Sequence, residues 1–566
     1  MKLLILGGYG TFGGRLATLL ADVEALHLLI AGRSLVRAEA FCAVYRGEAR
    51  VQPLALDRAQ IADALAAHRP DLVVDASGPF QDYGDDPYPV IEACLAAGVD
   101  YLDFADAADF VFGVSCFDAR AKAAGVSILS GVSSFPVLTA AVLREIGRSM
   151  EIRSVEGGIA PSPFAGIGLN VMRAVVSYAG GPVKLRRGGR PFVAKGLTES
   201  RRFTIAVPGQ LPLRSRRFSL VDVPDLQVIP PEHPGMSDIW MGAGPIPGLL
   251  HRILNGLARA RARFGLPALT PLSPLFYAVL NRMRFGEHRG GMIVRVTGTR
   301  EGREIVKSWH LLAEGDDGPF IPSMAIEALI RKRLKGERSA PGARSAVHAL
   351  DLADYDALFQ NRAITTGFRE ERSCDTIYRR VLGPAFDTLP PVIRALHGGR
   401  ATSRWVGTAE VRRGQGLAAR LICALTGFPR TGDGVPASVI FAPDGEVERW
   451  TRRIGGKTLR SVQWAGTGRD QFLLIEKFGI ARFSVALLCE GDRLRLVPRR
   501  WTLAGLPMPA CLLPGGEMIE TAQDDRFVFD IDIRAPWIGP IVHYRGSLSL
   551  EAPRAQPAES ARNGMG

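Results

Sequence analysis

The chain has 566 residues, 47% hydrophobic and 22% charged, with a net charge of +13, which excludes a disordered protein and calls for about three domains at roughly 100–200 residues each. Seven scattered cysteines without a C-x-x-C pair exclude a zinc ribbon or a disulfide framework, so no metal site is expected and a reducing, cytoplasmic setting is. No run of about 18 apolar residues occurs, so no transmembrane helix is expected, and the four apolar residues at 3–6 are too few for a signal-peptide core.

The chain opens with a short apolar strand that runs into GGYGTFGG (7–14) and then into an Ala/Leu-rich helical pattern. Gly8, Gly10 and Gly13 give the G-x-G-x-x-G spacing, with Tyr9, Thr11 and Phe12 between them. In a strand–turn–helix unit such glycines let the backbone approach a pyrophosphate, whose charge the free N–H groups of the helix receive. A lone motif of this kind is also met in turns that bind nothing, so the following strands decide. The second, HLLIAGRS, ends at Arg33 and Ser34, where an NAD-binding unit would place a carboxylate on the ribose 2′-hydroxyl. An arginine there attracts a 2′-phosphate instead, which points to NADP. The alternative is a solvated strand-end residue.

A third strand ends at Asp57, placed to accept from adenine, and a fourth ends in Ser77, Gly78, Pro79 and Phe80, placed along the ribose and nicotinamide. Strand and helix alternate at a spacing that predicts right-handed crossovers and a doubly wound parallel sheet, with ligands beyond the carboxyl ends of its strands. Residues 1–150 are therefore expected to be an α/β Rossmann domain that binds NADP.

The stretches GGYGTFGGRLA, AGRS, VVDASGPFQDYG, VIEACLAAGVDYLDFAD and ILSGVSSFPVLTAAVL resemble the NADP-binding domain of the saccharopine dehydrogenase/reductase group over about residues 1–145, and more loosely to about 335. The resemblance implies an NADP-linked oxidoreductase acting on a carbonyl, imine or enoyl substrate, without implying saccharopine. Ala105-Asp106 stands where the group often has Gly-Glu, and Ser133-Ser134-Phe135-Pro136 departs from its Ser-x-Pro-Ser-Asp-like segment, which puts an amino-acid substrate in doubt.

Hydride transfer needs an acid or base beside a positioned nicotinamide. The Tyr-x-x-x-Lys pair of a short-chain dehydrogenase is absent. The candidates are Tyr101 and Asp103 on the fifth strand and Asp106 at its end; the competing reading of Asp103 is a loop anchor that accepts backbone N–H groups. His288 and His310 are isolated and read as packing or surface residues.

Residues 151–334 mix strand-like and helical patterns, as an α+β substrate or dimerisation domain would, with a hairpin expected around 299–302. The charge is uneven. Residues 1–150 hold 12 Lys/Arg against 18 Asp/Glu, whereas the span from Lys184 to Arg217 holds ten Lys/Arg and the single acid Glu199. Because the glycine unit lies in the acidic part, nucleic acid is not the expected partner; a small, lipid-like substrate is. LLHRILNGLARARARFG (249–265) carries an apolar stripe and a basic end. It is read either as a helix with one buried face or as peripheral contact with an anionic membrane. The basic span adds a further alternative, a channel for an acidic substrate.

The polar stretch at 335–352 reads as a linker. Residues 353–552 read as a mainly antiparallel β domain, a sheet or partly closed barrel, that resembles an uncharacterised domain-of-unknown-function family through WTRRIGG and VHYRGSL. Trp450, Trp501, Phe472, Phe527 and Phe529 read either as core or as the lining of an apolar pocket. The tail, 553–566, reads as disordered.

Overall fold

The computed structural model describes residues 1–551 apart from 85, 167, 246, 284, 285 and 373; the expected disordered tail at 553–566 lies outside the described residues. The chain divides into two compact units, one of residues 1–207 and 213–371, the other of 208–212 and 372 onward.

In the first unit, β1 (Lys2–Leu6), β2 (His27–Gly32), β3 (Arg50–Ala55), β4 (Leu72–Asp75), β5 (Asp100–Asp103) and β6 (Ser127–Ser130) pair in parallel in the order 6-5-4-1-2-3. The central strands are buried on both faces, as their unbroken apolar runs require. The doubly wound sheet is as expected.

The second sheet is built from β7 (Glu151–Ala160), the small hairpin β8 (Pro182–Arg187) and β9 (Arg190–Lys195) beside it, then β10 (Ser200–Phe203), β11 (Arg216–Leu220), β12 (Asp238–Ala243), β13 (Arg289–Arg300) and β14 (Arg303–Glu314). β13 and β14 form the expected hairpin, turning at Glu301 (φ 52°) and Gly302 (φ 76°).

Residues 335–352 are not a linker. Gly342–Ser345 form β15, which adds to the first sheet in parallel beside β6, and Ile364–Glu371 form β16 on the second sheet beside β14. The polarity that suggests a linker serves ion pairing: Arg338 donates Nε and a terminal nitrogen to the two oxygens of Asp100 at 2.8 and 2.7 Å, and Arg333 also pairs with Asp100. The boundary consequently moves from 353 to about 372.

The second unit is a closed barrel. Its strands are β17 (Ser403–Arg413), β18 (Gly432–Asp444), β19 (Val447–Ile454), β20 (Lys457–Ala465), β21 (Leu474–Phe478), β22 (Ala481–Glu490), β23 (Arg493–Leu503), the two-residue β24 (Leu506–Pro507), β25 (Met518–Gln523), β26 (Arg526–Ala535) and β27 (Gly539–Leu550). All pairings are antiparallel, and β22 pairs with both β21 and β23, so ten strands join edge to edge with no edge left open. Inward positions alternate, as at Trp405, Ala409 and Val411 of β17. Two short helices, Ile377–Leu382 and Pro391–His397, pack against this barrel and share its separate hydrophobic core.

Candidate nucleotide and active site

The glycine turn is built too tightly for side chains. Gly7 takes a left-handed φ of 70°, and a Cβ on Gly13 would lie 2.5 Å from the Gly7 carbonyl oxygen and 2.8 Å from the Gly8 Cα. The Gly10 N–H donates to Gly7 O at 2.8 Å and closes the turn. Gly10 then caps the helix Thr11–Leu19 without offering a side-chain acceptor, so the first N–H groups of that helix face outward for an anion. Gly7, whose positive φ begins the turn, is a residue that the G-x-G-x-x-G spacing alone does not single out.

Next to this turn, Tyr9 lies across Gly32 and its hydroxyl accepts from the Ser34 N–H at 3.0 Å. Arg33 is exposed at the end of β2, and Arg37, also exposed, stands 4.9 Å over the Tyr9 ring. Two guanidinium groups beside the turn suit a 2′-phosphate. Ser34 caps the helix Leu35–Val44 by accepting from the Arg37 N–H, and Asp57 likewise caps a short turn by accepting from Ala59 N–H at 3.1 Å.

Ser77 is held through its N–H (2.9 Å) and Oγ (2.6 Å) on Asp75 Oδ1, and the Tyr83 hydroxyl lies 3.0 Å from that Oγ. The Gly78 carbonyl accepts from Asn170 Nδ2 at 2.7 Å, which brings the second sheet's helix Leu169–Ser177 to the loop of Ser77, Gly78 and Pro79. Phe80 is buried against Tyr83 and Phe110, and Phe12 stacks on Phe104 at 5.6 Å, so both phenylalanines pack the loops from beneath.

The three acid–base candidates separate. Tyr101 and Asp103 are fully buried, which removes them from direct contact with a substrate. Asp103 Oδ1 accepts from the Ala105 and Gly131 N–H groups at 2.9 and 2.7 Å and so ties the ends of β5 and β6 together; burial pushes its carboxyl up to about 7. Asp106 is half-buried and accepts from Gln81 Nε2 at 3.1 Å, with its carboxyl raised by burial.

Two groups that the sequence pattern does not disclose join Asp106. Asp222, after β11, has its carboxyl pushed up to about 7, first by burial and then by the charges of Asp109 and Asp106. The Tyr178 hydroxyl, at the end of the helix Leu169–Ser177, is raised by burial and then by the charges of Asp106 and Asp222. At the rim, Lys184 Nζ pairs with Asp109 at 2.8 Å, and Gln227 Nε2 donates to Asp109 at 2.8 Å. These residues come together only through folding: 116 positions separate Asp106 from Asp222.

The basic span does not form one patch. Arg187 pairs with Glu199, Arg201 with Glu156, and Arg216 is buried. His310 is fully buried; its Nδ1 accepts from Ala206 N–H at 3.2 Å, leaving the proton on Nε2, 2.8 Å from Ser308 Oγ.

Residues 3–129 match the family described as the saccharopine dehydrogenase NADP binding domain. The N-terminal domain is a saccharopine dehydrogenase-type NADP-binding domain. The turn, the bare helix start and Arg33 beside Arg37 fit that cofactor. Residues 389–548, most of the barrel, match a domain of unknown function, DUF4166. A carboxyaminopropylagmatine dehydrogenase of Synechocystis is 31% identical over 148 residues, which cover 24% of this chain and about a third (35%) of that protein's length. Among solved structures, an amine dehydrogenase from Mycobacterium smegmatis aligns at 14% identity over 61% of this chain and 95% of its own (TM-score 0.33). A C. glutamicum DAP dehydrogenase aligns at 14% identity over 63% and 98% (TM-score 0.31).

Proposed function

We propose that the protein is an NADP-dependent oxidoreductase that moves a hydride to or from the carbon of a C=N, C=O or activated C=C bond, with the imine–amine pair favoured. The observation that supports this reading is the grouping of Asp106, held by Gln81, with Asp222 and Tyr178, where burial first, and then the charges of Asp109 and Asp106, push the Asp222 carboxyl up to about 7. Paired acids of this kind suit a cationic amine or iminium group, which relieves their mutual repulsion. NADPH supplies the hydride when bound. Asp222, protonated near neutrality, holds the proton that the reduced nitrogen or oxygen takes up, while Asp106, oriented by Gln81, stays the counter-charge. Reading NADPH oxidation against ketone, imine and enoyl panels, for the wild type and Asp222→Asn, tests the proposal. Turnover of an imine that falls at least 100-fold in the variant supports it. Tight NADPH binding without turnover on any panel replaces it with a non-catalytic NADP-binding protein.

A second reading, peripheral attachment to an anionic membrane that holds a lipid-like substrate, is favoured by the surface around the helix Gly248–Phe264. No acid occurs between Asp238 and Glu287. Leu249, Ile253, Phe264 and Leu275 are 59%, 49%, 74% and 60% exposed, and Arg252, Arg259 and Arg263 are exposed beside them. The opposite face (His251, Leu254, Asn255, Ala258) is buried. Among the described residues no helix is long and apolar enough to cross a membrane. Flotation with anionic but not zwitterionic vesicles, lost in Ile253→Glu/Phe264→Glu, supports this reading; no flotation removes it.

A further inference from the structure

We propose that the barrel's interior is a binding site for an uncharged, mostly apolar ligand that carries a single hydrogen-bonding oxygen, a long-chain or polycyclic alcohol, ketone or ester. The barrel encloses a cavity of about 160 Å³, well above the volume one water molecule needs and room for a slender apolar group. Sixteen of the 22 lining residues are apolar, among them Trp450, Phe527 and Phe529, three of the five aromatics singled out from the sequence. Trp501 is elsewhere, stacked on Phe483, and Phe472 is not part of the lining.

The polar lining decides the ligand's charge. Arg452 is the cavity's cation, and it is already committed. One terminal nitrogen donates to Glu476 Oε1 and the other to Ser461 Oγ, both at 2.8 Å, while its guanidinium lies 4.3 Å over the Trp450 ring. Glu520 is bound to His397 Nε2 at 2.6 Å, and that imidazole stacks on Tyr378 at 3.6 Å between ring centres. Tyr378 itself donates to Gln463 Oε1 at 3.3 Å. A carboxylate ligand would therefore meet two carboxylates and have to displace Glu476 from its arginine, at the cost of leaving a buried charge unpaired. Tyr544, by contrast, is part of the lining beside Arg452 and Glu476, and no hydrogen bond of its hydroxyl is found among the described residues. It is a donor for a ligand oxygen, and an apolar chain or ring system fills the rest at the usual gain per buried area.

The test uses the full chain and Nile red, an uncharged apolar dye, displaced by dodecanol or by dodecanoate at pH 8. The proposal expects saturable dye binding and displacement by the alcohol at a concentration at least tenfold below that of the carboxylate. Tyr544→Phe should weaken dodecanol about tenfold and leave dye binding and melting temperature in place. Glu476→Gln, which releases Arg452, should bring dodecanoate level with dodecanol or ahead of it. Leu496→Trp fills the cavity and should abolish dye binding with the far-ultraviolet dichroism intact, whereas Ile253→Glu, on the first unit's surface, should retain it. No saturable binding to the wild type, equal displacement by alcohol and carboxylate, or full dye binding in a folded Leu496→Trp variant would overturn the proposal.

Discussion

The Tyr9 hydroxyl accepts a hydrogen bond from the Ser34 backbone N–H at 3.0 Å and thereby fixes the glycine turn to the strand end that bears Arg33. The proposed pyrophosphate and 2′-phosphate sites are thus held at one spacing. Removing the hydroxyl alone, in Tyr9→Phe, loses one hydrogen bond of about 0.5–1.5 kcal/mol. NADPH affinity should fall about threefold to tenfold by calorimetric titration, with a smaller loss for NADH; equal losses would show that the contact serves only the turn.

Gly13 has no room for a methyl group. Its added Cβ would stand 2.5 Å from Gly7 O and 2.8 Å from Gly8 Cα, both backbone atoms that cannot rotate aside. Gly13→Ala should cost about 1–3 kcal/mol, as overpacking does, and abolish NADPH binding. Gly84→Ala, where a Cβ meets nothing but φ is 76°, should lower the melting temperature slightly and leave NADPH binding intact.

Much of the first domain is legible because its signals are local. A strand, a turn that only glycine can make and a helix succeed one another within nineteen residues, and Arg33 follows at the end of the next strand. Of the proposed acid–base group only Asp106 is legible; Tyr178 and Asp222 come from separate segments at no fixed spacing from it. β15 escapes for a different reason. Four residues of polar and small character form a strand by pairing with β6, more than 200 positions earlier, and nothing in their own pattern demands it. Barrel closure through β22–β23 is likewise a property of the whole sheet.

Asp222 ties stability to pH. Its carboxyl is raised from an ordinary 3.8 to about 7, so between those values the folded state holds a proton that the unfolded state has released. Its contribution to stability is present at pH 4, declines as pH rises toward 7 and is constant above. Asp222→Asn never takes the charge. By urea denaturation the variant should match the wild type at pH 4.5 and exceed it by about 1–3 kcal/mol at pH 8, a gain tempered by the partial exposure of the group. Lower stability of the variant at pH 8 would contradict the assignment.

The barrel depends on a buried pair. His397 is 1% and Glu520 5% exposed, and their 2.6 Å contact leaves no room for water between them. Glu520→Ala strands the imidazole and should cost about 3–5 kcal/mol. Because the two units have separate hydrophobic cores, calorimetry should show one transition moved down by several degrees and the other, together with NADPH binding, in place.

The most direct test is a titration of the purified protein with NADPH and with NADH, followed by nicotinamide fluorescence, for the wild type and Arg33→Asp. Arg33 is exposed beside the turn, so the substitution alters the charge at the proposed 2′-phosphate site without touching the core. The account predicts tight NADPH binding with a preference of at least tenfold over NADH, and loss or reversal of that preference in the variant. Equal affinity of the wild type for both nucleotides, or no binding of either, would contradict it.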